Sequence, residues 1–237
     1  MHWQYLGTRR ELAVLIGRAM HIRPEHVVEF RQACVAAKLS WSAHLNASDS
    51  EERAYALMNI IGVCMPLSYG EGEQKAFQRL QEVIIDSVDD ESVFAWFTIS
   101  NKGENSKACT RLLAQSINDF AGCMNTERSD PTKAAKRFKL RRNDKGKVLG
   151  VEITAPVEAA SPSLQVLITI CMQCSSKKTS DSTDDKALFL RLFKSSKGSW
   201  KRLGLTTECS LSPSNRRSFL PRKPAMRSEM IFVPHDS

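Results

Sequence analysis

The segment at residues 65–82 reads MPLSYGEGEQKAFQRLQE. A short glycine-rich turn, GEGEQK at residues 70–75, leads directly into a run whose apolar side chains recur at helical spacing. The residues of that apolar face are Ala76, Phe77, Leu80, Val83 and Ile84. Phosphate-binding loops have a similar arrangement, because backbone amides at a helix N-terminus attract anions. The segment therefore predicts a helix, and it raises the question of a nucleotide site.

The glycine turn lacks the residues of a phosphate loop. Neither GxxxxGK[ST] nor GxGxxG matches, since Gly70 and Gly72 have no third glycine and Lys75 is followed by alanine. Glu71 and Glu73 would place two carboxylates at the anion site, where unit charges 4 Å apart repel by about 1 kcal/mol even in water. The same glutamates favour the positive end of the following helix. We therefore predict an acid-capped helix start and no cofactor.

The residues before this segment also predict helices. TRRE at residues 8–11 fits a capping box, followed by a predicted buried face. The residues of that face are Leu12, Leu15, Ile16, Ala19 and Met20. Pro24 suits the first turn of a short helix, and a third helix places Cys34, Ala37 and Trp41 on one side.

A second capping box at residues 48–51 precedes a predicted helix that ends at Gly62. Its predicted apolar side chains are Tyr55, Leu57, Met58 and Ile61. The helix that begins after Gly72 is predicted to fray at the acidic SVDDES, residues 87–92.

After Trp96 the spacing of apolar residues changes to that of strands. Residues 137–153 and 186–203 each predict a β-hairpin, residues 164–171 a buried strand, and residues 229–234 a final strand. Polar stretches at residues 175–185 and 212–224 predict loops. We therefore predict an α+β protein with a helical part at residues 1–97 and a basic, antiparallel, β-rich part with polar loops at residues 98–237.

Composition indicates a soluble intracellular protein. Of the 237 residues, 42% are hydrophobic and 25% are charged, which is ordinary for a globular chain. The seven cysteines follow no disulfide framework, which favours a reducing compartment. The longest apolar run, residues 57–67, is shorter than the roughly 20 residues that cross a bilayer, and residues 1–10 lack the apolar core of a signal peptide. A cytoplasmic location without a membrane span is expected.

Charge is distributed unevenly along the chain. Residues 1–97 hold nine basic and thirteen acidic residues, so residues 98–237 hold the other 25 basic and 13 acidic residues. This asymmetry allows an acidic partner for the second part. A possible anion-binding patch is formed by Lys136, Arg137, Lys139, Arg141 and Arg142. Nucleic acid is the less favoured reading, because charged side chains also protect hairpin edges and no nucleic-acid fold accompanies the cluster.

Other candidate sites have structural explanations. Cys171 and Cys174 have the CxxC spacing of metal sites, but a zinc site needs about four ligands and no second pair follows. We predict structural cysteines and no metal. A Cys34–His44 pair is conceivable but has no supporting pattern, and Ser68 does not fit GxSxG. No catalytic residue is predicted.

Several motifs resemble the fungal heterokaryon-incompatibility (HET) domain proteins. They are WQYLGT at residues 3–8, LSWSA at 39–43, the long run at 52–84, and DDESVFAW at 89–96. LLAQSINDFAG at 112–122 resembles the segment that follows in that family. The residues that carry the resemblance, with no assigned role, are Ala54, Tyr55, Met65, Pro66, Leu67, Tyr69, Gly70, Glu71, Gly72, Phe77, Arg79, Leu80, Phe94, Ala95 and Trp96.

The resemblance covers the C-terminal part of a HET domain, and the N-terminal strand motifs of that family have no counterpart here. We therefore expect a truncated product, a gene-model fragment or a free-standing remnant. The resemblance implies a signalling role in fungal non-self recognition and programmed cell death. The expected activity is non-enzymatic, with a protein partner (a second copy or another HET-containing protein) and no small-molecule substrate.

Two alternatives remain open at this point. One is an NAD-consuming enzyme, by analogy with the TIR-like folds to which HET domains are suspected to be related. The other is an anion- or nucleic-acid-binding module that uses the basic second part. For the MPL–Y group, Met65 to Leu67 and Tyr69, two readings also stay open. These residues either pack the loop between two helices or form an exposed oligomerisation surface.

Overall fold

The computed structural model describes residues 5–43, 51–96, 111–128, 138–157, 165–173, 186–194, 200–207 and 227–234. Within them the helices are α1 (Ala13–Met20), α2 (Pro24–Val28), α3 (Val35–Ala43), α4 (Glu52–Ile61) and α5 (Glu73–Ser87), with 3-10 helices at Phe30–Gln32, Glu91–Phe94 and Ile117–Phe120. The strands are β1 (Thr126–Glu127), β2 (Phe138–Arg142), β3 (Val148–Val157), β4 (Gln165–Gln173), β5 (Lys186–Lys194), β6 (Trp200–Thr207) and β7 (Arg227–Pro234). The predicted α+β class is confirmed.

The apolar spacing of α5 places one face of the helix in the core. Ala76, Phe77, Leu80 and Ile84 are fully buried, and Val83 packs at the edge of the core. Burial of a large apolar side chain contributes about 1.5–3 kcal/mol, so this face is a main source of stability. The predicted helix after the glycine turn is confirmed.

Helix α4 also matches its predicted spacing. Tyr55, Leu57 and Ile61 are buried, and Met58 packs against the core. The helix ends at Gly62, which adopts the left-handed conformation (φ 90°) and donates its N–H to the Met58 carbonyl. Of the predicted capping box, residues 48–50 lie outside the described residues.

Helix α1 differs from its prediction. The Thr8–Glu11 capping box is present, since the Thr8 N–H donates to Glu11 and the Glu11 N–H donates to Thr8 Oγ1. The predicted buried face is wrong, because Leu15 is 64% exposed and Met20 is 42% exposed. The buried residues are Ala13 and Gly17. A Cβ on Gly17 would lie 2.5 Å from the Ile22 carbonyl oxygen, so the small-residue side packs closely and turns the larger residues outward.

The next two helices follow the sequence more closely. Helix α2 begins at Pro24, as predicted. Helix α3 is buried on nearly all sides, and Cys34, Ala37 and Trp41 lie in the core. It is therefore the central helix of the molecule rather than an amphipathic surface helix.

The strands form antiparallel sheets. Within the described residues, one sheet has the order β1-β4-β5-β6 and the other has the order β2-β3-β7. The predicted hairpins β2–β3 and β5–β6 and the strands β4 and β7 are confirmed. Buried and exposed side chains alternate along β2. The predicted polar loops at 175–185 and 212–224 lie outside the described residues.

A contiguous cluster of buried side chains includes both helices and strands. Phe77 of α5 contacts Phe120 edge to face, with ring centroids 6.2 Å apart, and Phe94 contacts Phe138 of β2 at 4.5 Å. Leu190 and Leu192 of β5 belong to the same cluster. Among the described helices, none is both long enough and apolar enough to cross a bilayer.

Candidate functional site

The glycine turn connects α4 to α5 through two residues with positive φ. Gly70 has φ 85° and Gly72 has φ 82°, and a Cβ at either position would meet no atom within 4 Å. Glycine is therefore required by the backbone conformation rather than by a close neighbour or a ligand contact.

A carboxylate of the protein accepts the hydrogen bond that the turn would otherwise donate to a bound phosphate. Glu51 accepts a hydrogen bond from the Gly70 N–H at 2.7 Å. The backbone hydrogen bond from Gly70 is the largest cause that lowers the pKa of Glu51. The internal carboxylate therefore takes the place of an anionic ligand.

Glu71 lies at the centre of a polar cluster behind the turn. Tyr55 donates its hydroxyl hydrogen to Glu71 Oε1 at 2.8 Å and accepts the Ser68 N–H at 3.0 Å. Arg79 forms an ion pair with Glu71 and donates to the Pro66 carbonyl. Burial is the largest cause that raises the pKa of Tyr55, so its hydroxyl keeps its proton near neutral pH. This cluster holds the turn against α4 and α5.

Glu73 is held by a buried arginine. Arg53 donates to Glu73 Oε1 at 3.0 Å, to the Ser42 carbonyl at 2.8 Å and to Asn118 Oδ1 at 3.0 Å. Its guanidinium thus joins the end of α3, the start of α5 and the 3-10 helix at Ile117–Phe120. Both glutamates of the turn, Glu71 and Glu73, thus form ion pairs with arginines of the chain itself.

The apolar residues of the MPL–Y group divide between core and solvent. Met65 is buried, whereas Leu67 is 51% exposed and Tyr69 is 75% exposed. The Tyr69 ring lies edge to face with Tyr55, with centroids 6.1 Å apart. Met65 thus packs the loop, and Leu67 with Tyr69 forms an exposed apolar patch, which we call the loop patch.

The DDESVFAW motif caps the central helix from a distance in sequence. Asp90 is 8% exposed, and its Oδ2 accepts the Val35 N–H at 2.9 Å. Its Oδ1 accepts the Ser92 N–H, and Ser92 Oγ accepts the Ala36 N–H, each at 3.0 Å. The predicted end of α5 at this acidic stretch is confirmed, since α5 ends at Ser87. The stretch was not predicted to act as a cap, yet Asp90 and Ser92 satisfy free amides of α3.

The end of this motif is buried. Phe94, Ala95 and Trp96 lie in the core, and Trp96 Nε1 donates to the Leu112 carbonyl at 3.0 Å. The guanidinium carbon of Arg202 lies 3.8 Å from the centroid of the Trp96 ring, a cation–π contact inside the protein. These residues position the 111–115 segment between helix and sheet.

Several side-chain interactions around the turn and the DDESVFAW motif were not predicted from sequence. They are those of Glu51, Arg53, Asp90, Ser92 and Arg202. The Asp-x-Ser pattern at Asp90 is a capping signal that could have been recognised locally. The helix that it caps begins 55 residues earlier, so sequence alone gives the cap but not its target.

Two of the described cysteines have the properties of core residues, whereas Cys64 is exposed. Cys34 and Cys123 are buried, and burial raises the pKa of each thiol to about 12. A thiol with this pKa stays protonated near neutral pH and is a poor nucleophile. Among the described residues no group of His, Cys, Asp and Glu gathers as a metal site. Cys174 and His44 lie outside the described residues.

The predicted anion patch is described in part. Lys136 and Arg137 lie outside the described residues, whereas Lys139, Arg141 and Arg142 are exposed on β2. Arg141 lies 2.7 Å from Glu152 on the paired strand, and Arg142 lies 2.8 Å from Asp86 of α5. Two of the proposed anion ligands thus form ion pairs inside the protein, Arg141 within the β2–β3 hairpin and Arg142 between the hairpin and α5.

Comparison with known proteins gives partial matches. The model of a domain of unknown function (DUF8212) matches residues 75–141, which run from α5 to β2. A stretch of 47 residues is 43% identical to the vegetative incompatibility protein HET-E-1 of Podospora anserina. It makes up 20% of this chain and 4% of that protein. No solved structure matches. The chain therefore has a distant relationship to a vegetative incompatibility protein.

Proposed function

We propose that this chain is a non-enzymatic protein-interaction module that acts in fungal vegetative incompatibility and the cell death that follows non-self recognition. The similarity to HET-E-1 supports the biological setting. The interaction role rests on one observation, the contrast between the polar and the apolar side chains of the loop at residues 65–73. The polar groups of the turn are engaged inside the protein, while Leu67 and Tyr69 extend into solvent.

The chemistry of the turn favours binding over catalysis. A catalytic carboxylate must be able to exchange protons or coordinate a ligand. Glu71 and Glu73 instead hold Arg79 and Arg53, and Glu51 holds the Gly70 amide. The loop is thereby fixed in one conformation, which lowers the ordering cost of docking a partner on its apolar side chains.

The loop patch is the proposed contact, and a second copy of this chain is the first partner to test. Truncation of large anchors at an interface commonly costs at least about 2 kcal/mol, more than a tenfold loss of affinity. We expect Leu67→Ser combined with Tyr69→Ser to weaken self-association or the capture of HET-E-1 by at least that factor. Sedimentation equilibrium and a pull-down with purified HET-E-1 measure the two interactions.

The matched control is Leu15→Ser combined with Leu149→Ser, since both side chains are exposed but lie on separate elements, α1 and β3. The control variant should bind as the unmodified chain does. Equal binding by all three proteins would rule out the loop patch. Consumption of NAD by the purified chain would overturn the non-enzymatic role.

A further inference from the structure

A cleft of about 630 Å³ runs along the outer side of α5. Gln74 and Gln78 line it from α5, where residues four apart share a face. Arg111 and Gln115 line it from the segment that follows the DDESVFAW motif, and Lys147 lines it from the β2–β3 turn. Its size falls within the range of about 300–1,000 Å³ that is typical of binding pockets.

The walls of the cleft are fixed by internal bonds. The buried Gln81 side chain donates to the Ala114 carbonyl and accepts the Ala114 N–H, both at 2.9 Å, so the 111–115 segment is held along α5 as a strand would be. On the other wall, Asn143 Oδ1 accepts the Lys147 N–H at 2.8 Å, and Arg142 ties the same turn to Asp86. The cleft is therefore preformed.

Its lining is polar and positively charged. It contains three cations, Arg79, Arg111 and Lys147, and one carboxylate, Glu82. Arg79 is paired with Glu71, so Arg111 and Lys147 supply the positive charge of the lining. Glu82 accepts from Gln78 Nε2 at 3.0 Å and lies 3.8 Å from Arg142, so its charge is offset inside the protein. The lining thus presents cationic groups beside primary amides, which both donate and accept hydrogen bonds.

One lining residue of the cleft lies close to the loop patch. Arg79 lines the cleft and donates to the Pro66 carbonyl, one residue before Leu67. A ligand in the cleft that extends past Arg79 would therefore reach exposed apolar side chains. This proximity favours a peptide with acidic and apolar residues over a compact anion, and glutamine amides also match peptide groups.

We propose that this cleft binds an extended acidic segment of a partner protein, an inference that rests on the proposed interaction function. The carboxylates of the segment bind Arg111 and Lys147, its backbone bonds to the amides of Gln74 and Gln115, and its apolar side chains reach the loop patch.

The test uses a fluorescein-labelled octapeptide of alternating glutamate and leucine, and a second peptide in which glutamine replaces glutamate. Anisotropy of each peptide is measured against the full chain at physiological ionic strength. The cleft variant combines Arg111→Gln with Lys147→Gln. The control combines Lys75→Gln with Lys145→Gln, which removes the same charge from exposed positions that do not line the cleft.

We expect the acidic peptide to bind the unmodified chain and the control alike, and to bind the cleft variant at least about tenfold more weakly, because two charge-assisted contacts are lost. The glutamine peptide should bind the unmodified chain no more tightly than the acidic peptide binds the cleft variant. Equal weakening in both variants would mean nonspecific attraction and would overturn the proposal. So would saturable binding of inorganic pyrophosphate with no binding of the acidic peptide, which would indicate a site for small anions.

Failure here is distinguishable from failure of the proposed function. If the cleft variant binds the acidic peptide normally while Leu67→Ser with Tyr69→Ser still disrupts partner capture, the acidic-segment inference alone is wrong. If the loop variant captures partners normally, the loop patch fails whatever the peptide shows.

Discussion

Replacement of Asp90 by alanine should destabilise the protein far more than the same change at its neighbour Asp89. The carboxylate of Asp90 accepts the Val35 N–H at 2.9 Å and the Ser92 N–H at 3.0 Å in a buried environment. Alanine would leave both donors without these acceptors and would remove the cap of the most buried helix. Asp89 is exposed and offers a matched control in the same segment.

The expected size follows from these contacts. Loss of a helix cap costs about 0.5–2 kcal/mol. A buried donor left without a partner costs about 1–3 kcal/mol, and the two estimates overlap at the Val35 amide. We therefore expect Asp90→Ala to lower the free energy of unfolding by about 2–4 kcal/mol, and Asp89→Ala by less than about 0.5 kcal/mol. Asp90→Asn, which keeps one acceptor oxygen, should fall between them.

Urea unfolding followed by far-UV circular dichroism measures the effect. An unchanged slope with a lower midpoint indicates a loss of stability rather than a change in the unfolded state. The assignment of Asp90 as the cap of α3 would be refuted if the alanine variants at 89 and 90 had the same midpoint. Rapid amide hydrogen exchange at Val35 and Ala36 in Asp90→Ala would locate the defect at the helix start.

The remaining predictions concern the buried charge, the turn and the thiols. Arg53→Met should lower the free energy of unfolding by about 3–5 kcal/mol, because Glu73 loses a buried partner, and Arg53→Met with Glu73→Gln should recover part of that loss in the same urea assay. Gly72→Ala should cost about 1–3 kcal/mol, because φ 82° with ψ 157° is a backbone conformation that is essentially restricted to glycine, and its circular dichroism spectrum should remain native. Burial raises the pKa of Cys34 from an ordinary value of 9.0 to about 12. The unfolded chain therefore loses that proton first, and stability should fall as the pH rises from about 9 to about 12, with a shallower fall in Cys34→Ala.

Apolar periodicity predicted most of the secondary structure because each signal was local. The repeat from Ala76 to Ile84 belongs to one continuous helix, and the β2–β3 hairpin contains its own turn. Helix α1 was different: its larger apolar residues suggested a buried face, yet Ala13 and Gly17 make the close packing. The size of an apolar side chain predicts how much it gains from burial. It does not predict which face of the helix the neighbouring segment can approach.

The site was harder to predict for the same reason. The sequence showed that carboxylates at Glu71 and Glu73 disfavour a phosphate, and it indicated where the turn would lie. It did not show that Arg79, Arg53 and Tyr55 would converge on those carboxylates, since these residues are 8 to 20 positions away from their partners. Such contacts depend on how α4 and α5 pack, which local patterns do not encode.

The residues that resemble the HET pattern divide into two physical classes. Phe77, Leu80 and Trp96 are buried, and Arg79 with Glu71 fixes the turn, so these positions are explained by folding. Leu67 and Tyr69 gain little from folding, because each keeps at least half of its surface in water. A residue that the fold does not require is better explained by an interaction. The loop patch therefore contains the residues of the HET-like pattern that the proposed interaction explains. Leu67→Ser combined with Tyr69→Ser should weaken binding while leaving the stability of the fold nearly unchanged.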